Sequence, residues 1–271
     1  MIRLLRRSCA ALLFAASAAH AQQLPLWELG AFGGVATTPA YPGSSDRSTR
    51  GLALPFFIYR GDVFRVDQQG IGARLLRSDR VELDLGLAAS LPARSRDVSA
   101  RSGMPNLGTL LEVGPRLKVT LARPDAQSRI RFDLPLRAVV EARAGLRSQG
   151  WTFEPKLLYE THGEQEHWTF DTYLGMVFGD RKINRYFYEV QPAYATAERP
   201  AYAADSGQML VRVGASGSRL LNPDLRVFAF VRYESYAGAA NRASPLMQQR
   251  TGSSAGLAFS WTFQRSAQDA R

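Results

Sequence analysis

The sequence predicts an all-β protein, a closed antiparallel transmembrane β-barrel of about 12 strands. Three observations lead to this prediction. Apolar and polar residues alternate with period two in segments of about 10–12 residues, whereas strands of soluble proteins average about five or six. Aromatic residues gather near the ends of these segments, as they do where a barrel crosses two membrane interfaces. The alternate positions carry full charges, which a barrel would turn towards its lumen.

Composition limits the alternatives. The chain has 271 residues, 45% of them apolar, and a formal net charge of +10. Such a composition excludes bulk disorder and collagen-like repeats. The single cysteine, Cys9, excludes a disulfide framework and a thiolate metal cluster. The positive charge is dispersed along an exported chain, which argues against nucleic acid as a partner.

The first 21 residues have the pattern of a secretory signal peptide. Arginines precede the apolar run 10–19, and Ala19-His20-Ala21 matches an A-x-A cleavage site. An uncleaved membrane anchor is the alternative, but the apolar run is short for one. We therefore expect residues 1–21 to be removed, 22–263 to form an outer-membrane barrel, and 264–271 to be a C-terminal tail.

Seven segments show the alternation clearly and five show it weakly. The clear segments are 81–91, 111–121, 130–138, 151–159, 168–178, 225–233 and 255–263. The weaker segments are 26–36, 51–59, 63–76, 185–194 and 208–219. Within 63–76 the parity slips at Gln68-Gln69-Gly70, which we interpret as a β-bulge. A secreted soluble sandwich is the alternative architecture, and the strand lengths favour the barrel.

An even strand number predicts that both termini face the periplasm. The outer loops are then 37–50, 77–80, 122–128, 162–166, 196–206 and 237–251, and the periplasmic turns are 60–62, 142–150, 179–184 and 220–224. Segment 92–108 does not fit, because it falls on the periplasmic side and is too long for a turn. Either the count is off by one hairpin or this segment is a periplasmic protrusion or a lumen plug. Its basic residues Arg94, Arg96 and Arg101 are our candidate contact with a protein partner.

Several motifs occur in an order that resembles one known family. They are Pro39-Ala40-Tyr41-Pro42-Gly43-Ser44, Pro55-Phe56-Phe57, Glu112-Val113-Gly114-Pro115-Arg116, Phe178-Gly179-Asp180, Arg199-Pro200-Ala201-Tyr202, Ser244-Pro245-Leu246 and Trp261-Thr262-Phe263. Together they resemble the MltA-interacting protein/OmpV (MipA/OmpV) family of Gram-negative outer-membrane proteins, across residues 25–263. That family ends in the terminal aromatic residue, whereas here Gln264 to Arg271 follow Phe263.

The resemblance implies an outer-membrane barrel in contact with lipid and lipopolysaccharide. It also implies a scaffolding role for peptidoglycan-processing enzymes, with a murein hydrolase or a peptidoglycan synthase as partner. A narrow channel for small solutes is the alternative function. The resemblance brings no catalytic residues and no cofactor, and we expect no enzyme activity.

Two other patterns suggest chemistry only weakly. Gly252-Ser253-Ser254-Ala255-Gly256 matches G-x-S-x-G, but a nucleophile elbow needs a strand-to-helix turn and this motif runs into a strand. His162 and His167 flank two glutamates, yet zinc sites usually draw on three or four protein ligands. We therefore expect no metal site, and we interpret the histidines as part of a solvated loop.

The lumen-facing charges balance by parity. The basic set is Arg65, Arg74, Arg116, Lys118, Arg131, Arg137, Lys156, Arg212, Arg226 and Arg232. The acidic set is Asp67, Glu82, Asp84, Glu112, Asp133, Glu141, Glu154, Asp171, Glu189 and Glu234. Either these groups line a polar pore or they pair across the strands and fill the interior. Barrels of about eight strands are filled and those of about 16 hold a channel, so twelve strands favour a narrow or plugged lumen.

Overall fold

The computed structural model describes residues 25–60, 64–67, 70–90, 95–143 and 145–268. The expected signal peptide and Arg94 lie outside these residues. None of the helices in the described ranges is long and apolar enough to cross a membrane, a finding that does not concern β-barrels.

Thirteen β-segments form one antiparallel sheet within the described chain. They are β1 Trp27–Pro39, β2 Arg47–Arg60, β3 Phe64–Asp67, β4 Gly70–Arg77, β5 Val81–Ser90, β6 Thr109–Asp125, β7 Ser128–Ala142, β8 Leu146–Phe153, β9 Lys156–His162, β10 Trp168–Gly179, β11 Gly207–Asn222, β12 Leu225–Ser235 and β13 Thr251–Arg265. One α-helix, α1 Arg181–Tyr188, follows β10. Four 3-10 turns complete the structure: Ser95–Asp97, Ser99–Arg101, Glu164–Glu166 and Pro192–Tyr194.

The pairings follow the chain around a ring. Neighbouring segments pair in sequence, β10 pairs with β11, and β13 pairs with β1 from Glu28↔Arg265 to Thr37↔Ala255. β8 and β9 both pair with β7 and are separated only by Glu154-Pro155, so they form one interrupted strand. The described sheet therefore crosses twelve times, which confirms the predicted all-β barrel and its strand number.

Two compensating errors lie behind the correct number. The chain reverses between β3 and β4, since Asp67 pairs with Gly70, so the parity slip marks a hairpin and not a bulge. The expected strand 185–194 does not form: α1 covers 185–188 and a 3-10 turn covers 192–194. The Asp180 side chain caps α1 by accepting a hydrogen bond from Ile183 N at 2.9 Å. One strand is gained and one is lost.

Because β3 and β4 were expected as a single strand, the connections from 77 to 184 lie at the end of the barrel opposite to the one expected. The turns after β2, β4, β6, β9 and β11 lie at the same end as the start of β1 and the end of β13, here called the terminal end. The connections after β1, β5, β7, β10 and β12 lie at the other end, here called the loop end. Segments 77–80, 122–128 and 162–166 are thus at the terminal end, and 92–108, 142–150 and 179–184 are at the loop end, opposite to our expectation. Segment 92–108 therefore belongs with the long connections of the loop end and is not an oversized periplasmic turn.

The terminal-end turns are short because side chains satisfy their backbone groups. Asn222 Oδ1 accepts hydrogen bonds from the backbone N–H groups of Asp224 and Leu225, at 3.0 and 2.9 Å. Asp125 Oδ1 accepts from Gln127 N at 2.8 Å in the turn between β6 and β7. Such Asx turns replace ladder hydrogen bonds where the chain reverses.

The two faces of the sheet differ as predicted. Large apolar side chains are exposed on the outer face of the strands, where lipid would cover them. Examples are Leu85, Leu111, Trp151, Leu174, Val231, Leu257, Phe259, Trp261 and Phe263. The charged positions between them point inward. β13 continues two residues beyond the expected end of the barrel, because Gln264 and Arg265 still pair with β1.

Candidate functional site

Ion pairs line the inner face of the wall, and the first cluster joins β5 to its neighbour β6. Arg116 donates to both carboxylate oxygens of Asp84, at 3.0 and 2.7 Å. The Lys118 ammonium lies 2.8 Å from Asp84 and 2.8 Å from Glu82. Because Asp84 and Lys118 are buried, both charges depend on these partners.

A second cluster joins β7 to β9. Arg131 donates to the two oxygens of Asp133 at 2.6 and 3.1 Å, and Asp133 is fully buried. Arg131 also lies 3.0 Å from Glu160, which Arg129 contacts as well. The two neighbouring strands β7 and β9 are thereby held together at one level of the lumen.

A longer chain of ion pairs spans the wall from β6 to β12. Arg137 lies 3.3 Å from Glu112 and 3.8 Å from Glu154. Arg212 then joins Glu154, at 3.3 Å, to Glu234, at 3.5 Å. These alternating charges pair across the strands on the inner face of the wall. Most of the predicted lumen charges take part in these clusters.

Three of the predicted lumen charges are not found facing the lumen in the described structure. The side chains of Arg65 and Asp67 lie outside the described residues. Glu189 follows α1 and pairs with Arg185 at 2.6 Å, so it belongs to a loop and does not face the lumen. The strand prediction for 185–194 caused that error.

Four connections at the loop end pack together into a compact cap. We define the cap as segments 40–46, 95–108, 180–206 and 236–250. Its interior contains two apolar clusters, one around Ile183, Tyr188 and Tyr236 and the other around Tyr41, Val98 and Leu246. Burial of these side chains, at about 25 cal/mol per Å² of apolar surface, is the main stabilising contribution.

Polar contacts join the cap segments to one another. Tyr41 Oη donates to the carbonyl of Leu246 at 2.6 Å, and Ser244 Oγ donates to the carbonyl of Tyr188 at 2.7 Å. Asn241 Nδ2 donates to Asn184 Oδ1 at 2.9 Å, and both amides are buried. The cap is also attached to the barrel, since Tyr186 Oη donates to Glu141 on β7 at 3.0 Å.

Arg101, one of the three predicted contact residues, is a buried part of the cap. It is 4% exposed, and its guanidinium donates to the carbonyls of Phe187 and Pro105 at 3.1 and 3.3 Å. The guanidinium also lies 5.8 Å from the centre of the Tyr41 ring. No carboxylate of the described residues forms an ion pair with it, and burial lowers its pKa. Arg101 joins cap segments and presents little surface to another protein.

The other two contact residues are placed differently. Arg96 is exposed at the loop end, where it lies 3.7 Å from Asp97. Arg94 lies outside the described residues. A protein that binds Arg96 would therefore approach from the loop end.

Burial also affects the acidity of the cap tyrosines. It raises the pKa of Tyr41 to about 12, against the opposing effect of Arg101. Burial likewise raises the pKa of Tyr188 and Tyr236, and the nearby Glu234 carboxylate adds to the shift of Tyr236. The cap is therefore built around tyrosines that stay neutral.

The G-x-S-x-G match does not form a nucleophile site. Ser254 lies within β13 near the loop end, is buried, and accepts a hydrogen bond from Arg232 at 3.2 Å. His162 and His167 lie at the terminal end and contact the backbone carbonyls of Gly163 and Glu164. The structure thus separates the serine from both histidines by the length of the barrel. Among the described residues no group of three or more His, Cys, Asp or Glu side chains could hold a metal ion.

Comparison with solved structures gives distant likenesses to outer-membrane proteins. A bacterial polysaccharide outer membrane secretin is 10% identical, with a TM-score of 0.39, over 89% of this chain and 99% of the other. An outer-membrane channel from Pseudomonas putida F1 is 12% identical, with a TM-score of 0.38, over 90% and 98%. Outer membrane phospholipase A from Escherichia coli is 9% identical, with a TM-score of 0.34, over 86% and 92%. At these scores the likenesses do not bear on function.

Comparison with protein families is more specific. No curated protein matches the chain. The family model described as MltA-interacting protein MipA matches residues 29–263, nearly the whole barrel. The match extends from the first strand to Phe263 in the last and includes every cap segment. This chain is therefore an outer-membrane β-barrel protein of the MipA, or MltA-interacting protein, family.

Proposed function

We propose that this protein is a non-conducting barrel that holds a peptidoglycan-processing enzyme, such as a murein hydrolase or a peptidoglycan synthase, against the outer membrane. The paired charges of the inner wall and the packed cap at the loop end support the proposal. The chain of ion pairs from Glu112 to Glu234 runs along the inner wall, and the cap segments pack together at the loop end. The name of the family supports a murein enzyme as the partner.

The partner surface in this proposal is the terminal end. Outer-membrane barrels have short periplasmic turns and longer extracellular loops, which supports a periplasmic location for the terminal end. Two neighbouring turns there, 77–80 and 121–127, are exposed. They are tied together, since Arg123 donates to the carbonyl of Asp79 at 2.9 Å. We define these two turns as the turn surface; it carries Arg77, Arg80 and Arg123.

Lipid contact and export complete the proposal. The exposed apolar outer face contacts outer-membrane lipid, and loop-end arginines contact lipopolysaccharide phosphates as charge-assisted donors. Export removes residues 1–21. The mass of protein purified from outer membranes tests this directly, because cleavage after Ala21 leaves a chain that begins at Gln22.

Site-specific photo-crosslinking tests the partner surface. A photoreactive amino acid at Ala126, on the turn surface, is expected to crosslink in cells to a murein enzyme. The matched position is Ser102, which is exposed in the cap at the opposite end. Crosslinks to a murein enzyme from Ser102 and none from Ala126 would contradict the proposal.

Conductance separates the proposal from the narrow channel. Planar bilayers containing the purified protein should show no stepwise current. Steady single-channel steps that change when Arg137→Gln or Arg212→Gln opens the ion-pair chain would establish the channel in place of the scaffold.

A further inference from the structure

Three neighbouring side chains on the inner face of the wall lack hydrogen-bond acceptors, and the first is Arg212 on β11. Its ion pairs with Glu154 and Glu234 are long, at 3.3 and 3.5 Å. Its Nε–H is buried and has no acceptor among the described residues. Buried polar groups in proteins are nearly always hydrogen-bonded, so an unsatisfied guanidinium at this place indicates an acceptor from outside the chain.

Lys156 on β9 is the second of these side chains. Its ammonium lies 5.8 Å from the centre of the Tyr173 ring and forms no ion pair in the part of the chain that the structure describes. Two carboxylates are close to it in the register and in the chain, Asp133 and Glu154. Both are engaged by arginines of the ion-pair clusters. The ammonium of Lys156 is therefore without a partner of its own.

Tyr173 on β10 is the third. Its ring lies across Gly214 of β11, where a Cβ atom would come within 2.7 Å of Tyr173 Oη. The hydroxyl has no hydrogen-bond partner within the described ranges. Gly214 lies two positions from Arg212 on the same face of β11, so the phenol extends towards the unsatisfied guanidinium.

A glycine between the two cations brings the three side chains to one place. Gly175 on β10 pairs with Lys156 on one side and with Arg212 on the other. Paired residues share one face of the sheet, and Tyr173 lies on that face two positions before Gly175. Because Gly175 has no side chain, the two cations flank a bare stretch of wall, with their Cα atoms about 10 Å apart at ~4.8 Å per strand.

This level of the inner wall also carries an excess of positive charge. Four cations act on the Glu154 carboxylate, and two further carboxylates belong to the same chain of ion pairs. The cations are Arg137, Lys156, Arg212 and Arg232, and the carboxylates are Glu112, Glu154 and Glu234. Four positive charges thus face three negative ones. A buried charge is costly unless it is paired, so a bound anion would stabilise this arrangement.

We propose that Lys156, Tyr173 and Arg212 bind one small tetrahedral oxyanion, of which inorganic phosphate is the simplest. Ammonium and guanidinium groups form strong charge-assisted hydrogen bonds with such an ion, and the phenol adds a neutral donor. The ion would lie over Gly175 and join β9, β10 and β11 on the lumen side. This site is independent of the turn surface and of any protein partner.

Isothermal titration calorimetry with inorganic phosphate tests the site. The full mature chain is held in dodecyl maltoside micelles, in a chloride buffer of constant ionic strength, and should bind one phosphate ion per chain saturably. Lys156→Gln should weaken this binding by about tenfold or more, because a charge-assisted hydrogen bond is lost. Tyr173→Phe keeps the ring over Gly214 and should weaken it by a smaller factor. Lys156→Gln breaks no ion pair, and heat-modifiable migration checks that each variant is folded.

The matched control is Arg219→Gln, which removes one positive charge from an exposed position at the terminal end. It should leave the affinity for phosphate unchanged, whereas sulfate, an oxyanion of the same shape, should compete with phosphate. An equal loss of affinity in Arg219→Gln and Lys156→Gln would mean that only the net charge matters and would overturn the proposal. Phosphate binding that Lys156→Gln leaves intact, or no binding at all, would overturn it as well.

Discussion

Replacing Asp133 by alanine is expected to cost about 3 kcal/mol of unfolding free energy. Asp133 accepts two hydrogen bonds from Arg131, and the two side chains are 1% and 6% exposed. Removing one member of a buried pair costs about 3–5 kcal/mol, since the other charge is left without its partner. Arg131 retains a second carboxylate partner, Glu160 at 3.0 Å, so we expect a loss at the lower end of this range.

Urea unfolding in phosphocholine micelles, followed by heat-modifiable migration, measures the effect. About 3 kcal/mol corresponds to a change of more than a hundredfold in the folding equilibrium at ~1.4 kcal/mol per factor of ten. The control is Asp97→Ala, which removes an exposed pair with 3.7 Å between its charges and should change stability by less than about 0.5 kcal/mol. The double replacement Arg131→Leu with Asp133→Leu should recover most of the loss. An Asp133→Ala effect no larger than that of Asp97→Ala would mean that the lumen is hydrated at this level.

Four further predictions follow from the structure. Val113→Arg, on the outer face of β6, should impair insertion by about 2–4 kcal/mol, whereas Ala88→Arg, which faces Glu112 in the lumen, should do less; equal losses of assembled barrel would contradict the face assignment. Ser102→Cys should react with a membrane-impermeant thiol reagent on intact cells and Ala126→Cys only after the outer membrane is permeabilised, and the reverse result would restore the sidedness expected from sequence. Deleting 269–271 should preserve assembly, while deleting 254–271 should abolish it because β13 closes the ring against β1; outer-membrane fractionation checks both. Burial favours the neutral form of Tyr41, so its contribution to cap stability should be complete below pH 10 and lost as pH rises towards 12; Tyr41→Phe should reduce the increase in proteolysis of the cap over that range.

Period-two alternation identified most strands because lipid outside and paired charges inside impose opposite demands on neighbouring residues. It failed where local chemistry decided the conformation. At 68–70 the glycine marked a reversal that a break in parity alone could not distinguish from a bulge. At 180–188 the aromatic residues Tyr186 and Tyr188 imitated a strand, although Gly179-Asp180 already offered a helix start and N-cap.

The candidate sites were harder to predict than the fold. The lumen charges followed from parity, because each lies on a regular strand. Burial of Arg101 depends on Tyr41 and Phe187, which are remote in sequence and belong to other loops.

The hydrogen bond between Tyr41 and Leu246 has a consequence for biogenesis. It joins residues 205 positions apart in the first and the last cap segments. These segments are brought together when β13 pairs with β1, the pairing that joins the first and last strands of the ring. Contacts of such sequence separation form late, because the entropy of closing a long loop must be overcome first. Protease resistance of the cap should therefore appear only after ring closure, and in a biogenesis assay it would distinguish a sealed barrel from one that is inserted but still open.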